Sequence, residues 1–363
     1  MNKLCTNYEA RLTGGRADAK MPPLKHNITL FSKSDAPDPL KRLDAETSFI
    51  RMQLSVELKH NAKSDPFDDL PDGGIGEPES RMGSETFNQC FQSAANQLAY
   101  QHRLFAFSLV ICGNVARFIR WDREGVVVSA SIDCSQRSDL VIEFLRRFNQ
   151  LTDEQRGLDP TATPATPEQV EMFESAVANT EIEPLKLSVG DRDIYPRSKL
   201  EVRDPSTKVS YYIVGKALDY DLGVVGRCTR GYLALDLSTN ECVFLKDTWR
   251  LDAARFEPEH VWYEKLIKAK VPHLVKFKHA SNVIPPTPPH HYHGKLTLGH
   301  TTTGLEGAQR GLTHRLTYLF DPPSPLIRGY IHYRFVQGEL CRSLSEFMNS
   351  KHLTLVVLHS LKG

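Results

Sequence analysis

Two segments indicate how the second half of the chain folds: GVVGRCTRG, from Gly223 to Gly231, and VFLKDTWR, from Val243 to Arg250. The first segment is a glycine-containing loop between predicted strands, and the second is an apolar strand from which Lys246 emerges. Glycines let backbone N–H groups approach phosphates closely, because no Cβ is in the way. A lysine on such a strand can reach the phosphates as a point charge. The pair of segments predicts a small sheet that can hold a phosphate group.

The three glycines of the loop are spaced more loosely than the Gly-x-Gly-x-x-Gly pattern of nucleotide-binding loops. Taken alone, Gly223, Gly226 and Gly231 fit an ordinary hairpin turn better than a phosphate loop, and Lys246 alone fits a lysine at the end of a strand with no ligand. The prediction of phosphate binding rests on the glycine segment and Lys246 occurring together. A helix predicted over Glu257–Lys268 adds Glu259 and Glu264, either of which could pair with Lys246.

Around this centre, short β-branched and aromatic runs alternate with polar turns, which is typical of an antiparallel sheet. The predicted strands are Ser210–Val214, Leu222–Val225, Tyr232–Leu237, Cys242–Lys246, Leu316–Leu319 and Ile331–Val336. Helical periodicity follows over Leu340–Met348 and His352–Leu361.

The preceding part of the chain predicts a separate α+β module. Apolar residues at helical spacing follow Ser84, which we expect to be an N-cap. Three β-like runs come next, then two helical patterns; in chain order these are Leu104–Cys112, Val115–Trp121, Gly125–Ile132, Leu140–Leu151 and Glu168–Ala178. A helix on a small antiparallel sheet gives an α+β fold.

Three regions are therefore predicted: a mostly disordered extension over 1–83, the N-terminal α+β module over 84–205, and the sheet with its helices over 206–363. The extension is rich in Pro, Asp, Gly, Ser and Lys. One helix is predicted within it, around Ala45–Leu58.

Composition narrows the class of protein. Hydrophobic residues make up 40% and charged residues 25% of the 363 residues, and the net charge is +1. These are ordinary globular values, and no strongly basic surface indicates nucleic acid or membrane as a partner. No apolar run approaches the roughly 18–20 residues that cross a bilayer. We expect an intracellular protein, cytoplasmic or nuclear, with its seven scattered cysteines reduced.

Several phrases resemble the fungal-type protein kinase family. They include the two segments quoted above, QHRLF at Gln101–Phe105, ARFIRWDREGV at Ala116–Val126, RGLDPT at Arg156–Thr161 and HYRFV at His332–Val336. The resemblance covers about residues 84–363. It implies that residues 206–363 form a protein-kinase-like N-lobe, its hinge and the start of the next helix. It also implies that ATP is the cofactor, with Lys246, Gly223, Gly226, Gly231 and Glu259 or Glu264 at the nucleotide.

The resemblance further implies transfer of phosphate from ATP to Ser or Thr of an unidentified protein. The sequence contains no His-Arg-Asp triplet and no Asp-Phe-Gly-like segment, which supply the catalytic aspartate and the magnesium ligands in protein kinases. We therefore expect a chain truncated before the catalytic loop, lacking the C-lobe, with no catalytic residue of its own and its Mg²⁺ ligands beyond Gly363. The alternative is a non-catalytic interaction protein or pseudokinase-like remnant.

Two other patterns invite a metal interpretation that we do not favour. His290, His291 and His293 lie on a proline-rich loop without a second ligand group at suitable spacing. Asp122, Glu124 and Asp133 lie around a small predicted sheet, but no Glu-x-Lys partner of nuclease type follows on the next strand, and residues 122–125 have the composition of a turn. No metal site is predicted.

Overall fold

The structure is a computed structural model that describes residues 5–13, 27–33, 48–71, 74–180, 190, 192, 195–203, 208–253, 255–284, 328–341 and 347–362. Its residues form two units. Unit 1 takes the described residues of Met1–Pro160 together with Leu222–Gly226. Unit 2 takes those of Thr161–Asp221, Arg227–Arg310 and Arg328–Gly363. The described residues of 161–205, a range predicted from the sequence to belong to the N-terminal module, thus contribute to unit 2.

Unit 1 is an α/β arrangement built on one main sheet. Its strands are β1 (Tyr8–Leu12), β2 (Ile28–Ser32), β3 (Met52–Lys59), β4 (Asp68–Asp69), β5 (Ile75–Gly76), β6 (Phe105–Cys112), β7 (Val115–Asp122), β8 (Gly125–Val128) and β9 (Ile132–Asp133), and its helices are α1 (Arg81–Tyr100) and α2 (Ser138–Gln150). The main sheet has the order β1-β2-β3-β6-β7-β8, with β9 also paired to β7. Strands β3 and β6 are parallel, and α1 lies in the connection between them.

Strand β6 explains why unit 1 has two cores. Alternate side chains of a strand point to opposite faces of the sheet. Ala106 and Val110 pack in the core that contains residues of α1, whereas Leu109 packs with residues of α2. The sequence FAFSLVIC is nearly continuous in apolar residues because both faces of this strand are covered.

Several predictions for unit 1 are confirmed, and three are wrong: those of disorder, of one helix and of one N-cap. The three β-like runs form β6, β7 and β8–β9, and the helical pattern after them forms α2. The expectation of disorder over 1–83 is wrong for the residues of β1, β2 and β3. The predicted helix over 45–58 is wrong for its described part, since Met52–Lys59 is a strand. Leu54 and Val56 are buried there, and β6 supplies the parallel partner, which is remote in sequence.

The N-cap of α1 is Ser80 rather than Ser84. The Ser80 side chain accepts a hydrogen bond from the Gly83 N–H at 2.8 Å. Ser84 lies within the first turns of the helix and donates to the Ser80 carbonyl. Both serines precede an apolar pattern, so spacing alone did not separate them.

In its described residues, unit 2 is an antiparallel sheet with three helices. Its elements are β10 (Ala162–Pro164), α3 (Pro167–Ala178), β11 (Ser198–Arg203), β12 (Val209–Val214), β13 (Asp219–Tyr220), β14 (Arg230–Asp236), β15 (Glu241–Leu251), α4 (Glu259–Lys268), β16 (Phe277–Asn282), β17 (Tyr330–Gln337) and α5 (Ser350–Lys362). The strand order is β10-β11-β12-β14-β15-β17-β16, with β13 paired to the start of β14.

The two faces of this sheet carry different groups. On one face Phe173 of α3 packs on Leu233 and Leu235, and Tyr263 of α4 packs on Phe277 and Phe335. On the other face is an apolar core formed by residues of β11, β12, β14, β15 and β17. A small antiparallel sheet with helices was predicted here, and the mixed α/β architecture agrees with a kinase-like fold.

Most predicted elements of unit 2 are present, and one strand is not. Leu222–Val225 forms no strand, and its residues belong to unit 1. Residues 316–319 lie outside the described part of the chain, as do 342–346 of the predicted helix Leu340–Met348, whose described residues are not helical. Among the described residues, no helix is both long and apolar enough to span a membrane.

Candidate functional site

Lys246 lies near the middle of β15, on the face of the sheet that carries α3 and α4. The strand pairs with β14 on one side and with β17 on the other, so that Gly231 and Phe335 lie directly opposite Lys246. The lysine is therefore held by a central strand with two neighbours. Its position in the sheet is fixed by backbone pairing and does not depend on a loop.

Glu259 is the partner of Lys246. The Lys246 Nζ lies 2.6 Å from Glu259 Oε2. Glu259 begins α4, where the positive end of the helix dipole favours a carboxylate. Of the two predicted partners the structure thus selects Glu259, while Glu264 lies exposed on the same helix. Arg227 approaches the same Oε2 atom at the longer distance of 3.9 Å.

Hydrogen bonds to β17 fix the position of α4. The backbone N–H of His260 donates to the Tyr333 hydroxyl at 3.1 Å. One turn further along, the Gln337 side-chain amide donates to the Tyr263 hydroxyl at 3.0 Å. Burial lowers the pKa of His260 below its ordinary value, which favours the neutral ring beside Tyr333. These contacts hold the first turn of α4, which begins with Glu259, on the sheet at β17.

A cavity of about 270 Å³ opens over this ion pair. The charged and polar part of its lining consists of Lys246, Glu259, Asp219, Thr229 and Gln337. Phe244 and Phe335 supply the apolar part, and Gly231 completes the lining. All of them belong to unit 2. Aromatic walls with a few convergent polar groups are typical of ligand sites.

Gly231 is required here by the ring of Phe244. A Cβ on Gly231 would lie 2.9 Å from Phe244 Cζ, which is too close unless the ring shifts, and 3.1 Å from Cε2, which is a tight contact. Gly231 is at a strand position without a positive φ, so packing alone accounts for the glycine. An aromatic ring that covers a glycine on the neighbouring strand stabilises such a pair. Together the two residues form one wall of the cavity.

A search against protein families matches residues 76–353 to the fungal protein kinase family. The chain belongs to that family. Comparisons with curated proteins and with solved structures found no match. The resemblance noted in the sequence is therefore confirmed over most of the chain. The fungal protein kinase match includes the glycine-containing segment, the strand of Lys246 and the helix of Glu259.

The predicted phosphate loop is divided between the two units of this fungal protein kinase family member. Gly231 lines the cavity, whereas Gly223 and Gly226 belong to the segment that unit 1 takes up. Gly226 has φ +108°, a backbone conformation that side chains rarely adopt, and an added Cβ there would meet no atom within 4 Å. A glycine is therefore favoured at this position by the backbone conformation and not by the packing of neighbouring atoms. The roles of Gly223 and Gly226 at a nucleotide stay predictions.

On the opposite face of β15, the residue after Lys246 is the centre of a buried charge cluster. Asp247 pairs with Arg230 at 2.8 Å and with His332, while Arg334 lies 3.8 Å away. Burial alone would raise the pKa of Asp247, but the charges of its three partners outweigh it and hold the pKa well below its ordinary value. This cluster was not predicted from the sequence. Alternation along β14, β15 and β17 would have shown that these residues share a face.

The patterns for which we did not favour a metal have structural roles or lie outside the described residues. Asp122 Oδ1 accepts hydrogen bonds from the N–H groups of Glu124 and Gly125, as a turn requires. His290, His291 and His293 lie outside the described residues. Within the part of the chain that the structure describes, no group of three or more His, Cys, Asp or Glu side chains is arranged to hold a metal ion.

Proposed function

We propose that the cavity over Lys246 binds the phosphates of ATP as its magnesium complex. The observation that carries the proposal is the 2.6 Å Lys246–Glu259 ion pair at the edge of a cavity of about 270 Å³ in a fungal protein kinase. Protein kinases use a strand lysine, paired with a helix glutamate, on the phosphates of ATP. In this arrangement the glutamate orients the lysine ammonium group so that it can bind a phosphate.

The lining residues fit this occupant. Lys246 supplies a cation for phosphate oxygens, and Arg227 on the adjoining segment supplies a second one that is more exposed. Phe244 and Phe335 supply aromatic surface against which the apolar faces of a base can pack. At about 270 Å³, the cavity is slightly smaller than the roughly 300–1,000 Å³ typical of ligand sites. It is therefore large enough to enclose part of a nucleotide and would leave the rest exposed to solvent.

The proposal assigns nucleotide binding to this chain and assigns no residue as general base or magnesium ligand. The 363 residues contain no His-Arg-Asp triplet and no Asp-Phe-Gly-like segment. Positioning the acceptor hydroxyl and holding Mg²⁺ account for most of phosphoryl-transfer catalysis. We propose that transfer to Ser or Thr of a protein needs those groups in addition to the ones described here.

A thermal-shift titration with Mg·ATP tests the proposal. A ligand that binds only the folded state raises the melting temperature increasingly with its concentration. We expect a saturable binding curve for the natural chain and its loss in Lys246→Ala. Lys278→Ala is a matched control, since Lys278 also forms an ion pair in unit 2, to Asp236 at 2.9 Å, and its side chain is 18% exposed against 21% for Lys246. An equal shift in all three proteins would refute the assignment of Lys246.

A further inference from the structure

The segment Leu222–Gly226 is anchored in unit 1, although residues on both sides of it belong to unit 2. The Val224 side chain is fully buried in the core that also contains Leu98 of α1 and Trp121 of β7. A buried valine contributes about 1.5–3 kcal/mol relative to an exposed one. This is therefore a stable attachment of the chain to unit 1.

Arg123, in the turn between β7 and β8, holds the backbone of the same segment. Its Nη1 donates to the Gly223 carbonyl at 2.9 Å and lies 3.3 Å from the Val224 carbonyl. The Arg123 carbonyl in turn accepts a hydrogen bond from the Gly226 N–H at 3.0 Å. One buried residue thus binds the segment at three points, about one hundred positions away in sequence.

The same guanidinium also binds the end of helix α1. Its Nη2 donates to the Leu98 carbonyl at 2.9 Å. Carbonyls in the last turn of a helix have no partner within the helix. Arg123 therefore joins the helix end to the glycine-containing segment, and neither carbonyl group is left buried without a donor.

The part of the chain that follows is fixed to strand β15 of unit 2. The Arg227 carbonyl accepts from the Trp249 N–H at 2.8 Å and from the Thr248 hydroxyl at 3.1 Å. The hydroxyls of Thr229 and Thr248 are 2.7 Å apart. Between the two attachments lies Gly226, whose positive φ lets the chain turn. The segment is thus held on both sides, unlike a free lid.

We infer that Arg123 is a positioning residue for the nucleotide site. By holding Gly223, Val224 and Gly226 it restricts the covalently linked residues that follow, among them Thr229 and Gly231 in the cavity wall. The effect on binding rests on the proposed function. The restriction of the segment stands on the hydrogen bonds of Arg123 and the burial of Val224.

The experiment measures hydrogen–deuterium exchange over residues 220–232 and the Kd for Mg·ATP in the full chain. Arg123→Ala removes the charged donors, and we expect about tenfold faster exchange of the segment, since hydrogen bonds to charged groups are the stronger ones. We expect the Kd to rise about threefold to tenfold, because a less ordered wall must be ordered on binding. Arg123→Lys keeps a cationic donor and is expected to restore part of both effects.

Arg117→Ala is the matched control. Arg117 is equally buried in unit 1, but its guanidinium binds Asp65, Asp69 and the Phe67 carbonyl. It should leave exchange over 220–232 and the Kd unchanged. Val224→Ala is expected to loosen the same segment while Arg123 stays intact. If Arg123→Ala does not fold, Val224→Ala and Arg123→Lys together show whether the attachment of the segment affects its exchange and the Kd.

Unchanged exchange in Arg123→Ala and Val224→Ala would overturn the inference, and so would equal acceleration in Arg117→Ala, which would indicate a general loosening of unit 1. Absence of Mg·ATP binding in the natural chain would refute the proposed function instead. In that case the exchange data alone would still show whether Arg123 holds the segment.

Discussion

Because Gly231 lies against the ring of Phe244, we expect Gly231→Ala to lower the free energy of unfolding when the ring is present and not to lower it when the ring is removed. In the natural chain, the added Cβ of Gly231→Ala would lie 2.9 Å from Phe244 Cζ. The ring must move out of its position, and such overpacking costs about 1–3 kcal/mol. Where no clash exists, alanine in place of glycine stabilises by about 0.4–1 kcal/mol, because it restricts the unfolded chain.

A double-mutant cycle isolates this contact. Phe244→Ala removes the ring, so adding Gly231→Ala to it should be neutral or stabilising. From the two ranges above we expect a coupling free energy of about 2 kcal/mol between the substitutions. Gly338→Ala is the control, since its Cβ would come no closer than 3.4 Å to Lys278 Cγ, an ordinary contact.

The assay must report on unit 2, because a chain of two units need not unfold in one step. Hydrogen exchange of peptides from β14 and β15 gives the local opening free energy of the wall that the two residues form. A loss of stability in Gly231→Ala that is the same with and without Phe244 would refute the packing explanation. Gly231 would then be needed for its backbone rather than for the ring.

Two further predictions concern the charges on either side of β15. Glu259→Gln should weaken Mg·ATP binding several-fold by releasing Lys246 from its held position, whereas Glu264→Gln should not, and a calorimetric titration separates them. On the opposite face, the lowered pKa of Asp247 means that its stabilising charge is fully present above the unfolded-state value and is lost as the pH falls. Unit 2 should therefore lose stability below about pH 4, and the acid limb of its urea-unfolding midpoint should be flatter in Asp247→Asn; an unchanged limb would contradict the role given to Asp247.

The sequence predicted the parts of the fold that depend on local pattern. Strands β6, β7, β15 and β17 are apolar or alternating runs with polar turns, and α2 and α4 have helical spacing, so their positions followed directly. Strand β3 did not, because Met52–Lys59 has apolar residues compatible with a helix. Its partner β6 comes some fifty residues later, and pairing at that distance is not visible in a local window.

For the candidate site, the sequence allowed us to predict the residues that take part but not which glutamate pairs with Lys246. Lys246 and two possible glutamates followed from spacing, and geometry chose Glu259 because it begins α4 beside β15. Leu222–Val225 looked like a strand because its apolar residues precede a glycine. Val224 is apolar for a different reason, since it is buried in the core of unit 1.

Isothermal titration calorimetry of the full chain shows whether Lys246 receives the phosphates of Mg·ATP. We expect a saturable one-to-one isotherm for the natural chain and for Lys278→Ala. Losing a charged hydrogen bond of about 1.5–3 kcal/mol should weaken binding at least tenfold in Lys246→Ala. An isotherm for Lys246→Ala that matches the natural chain, or the absence of any saturable heat in the natural chain, would contradict this expectation.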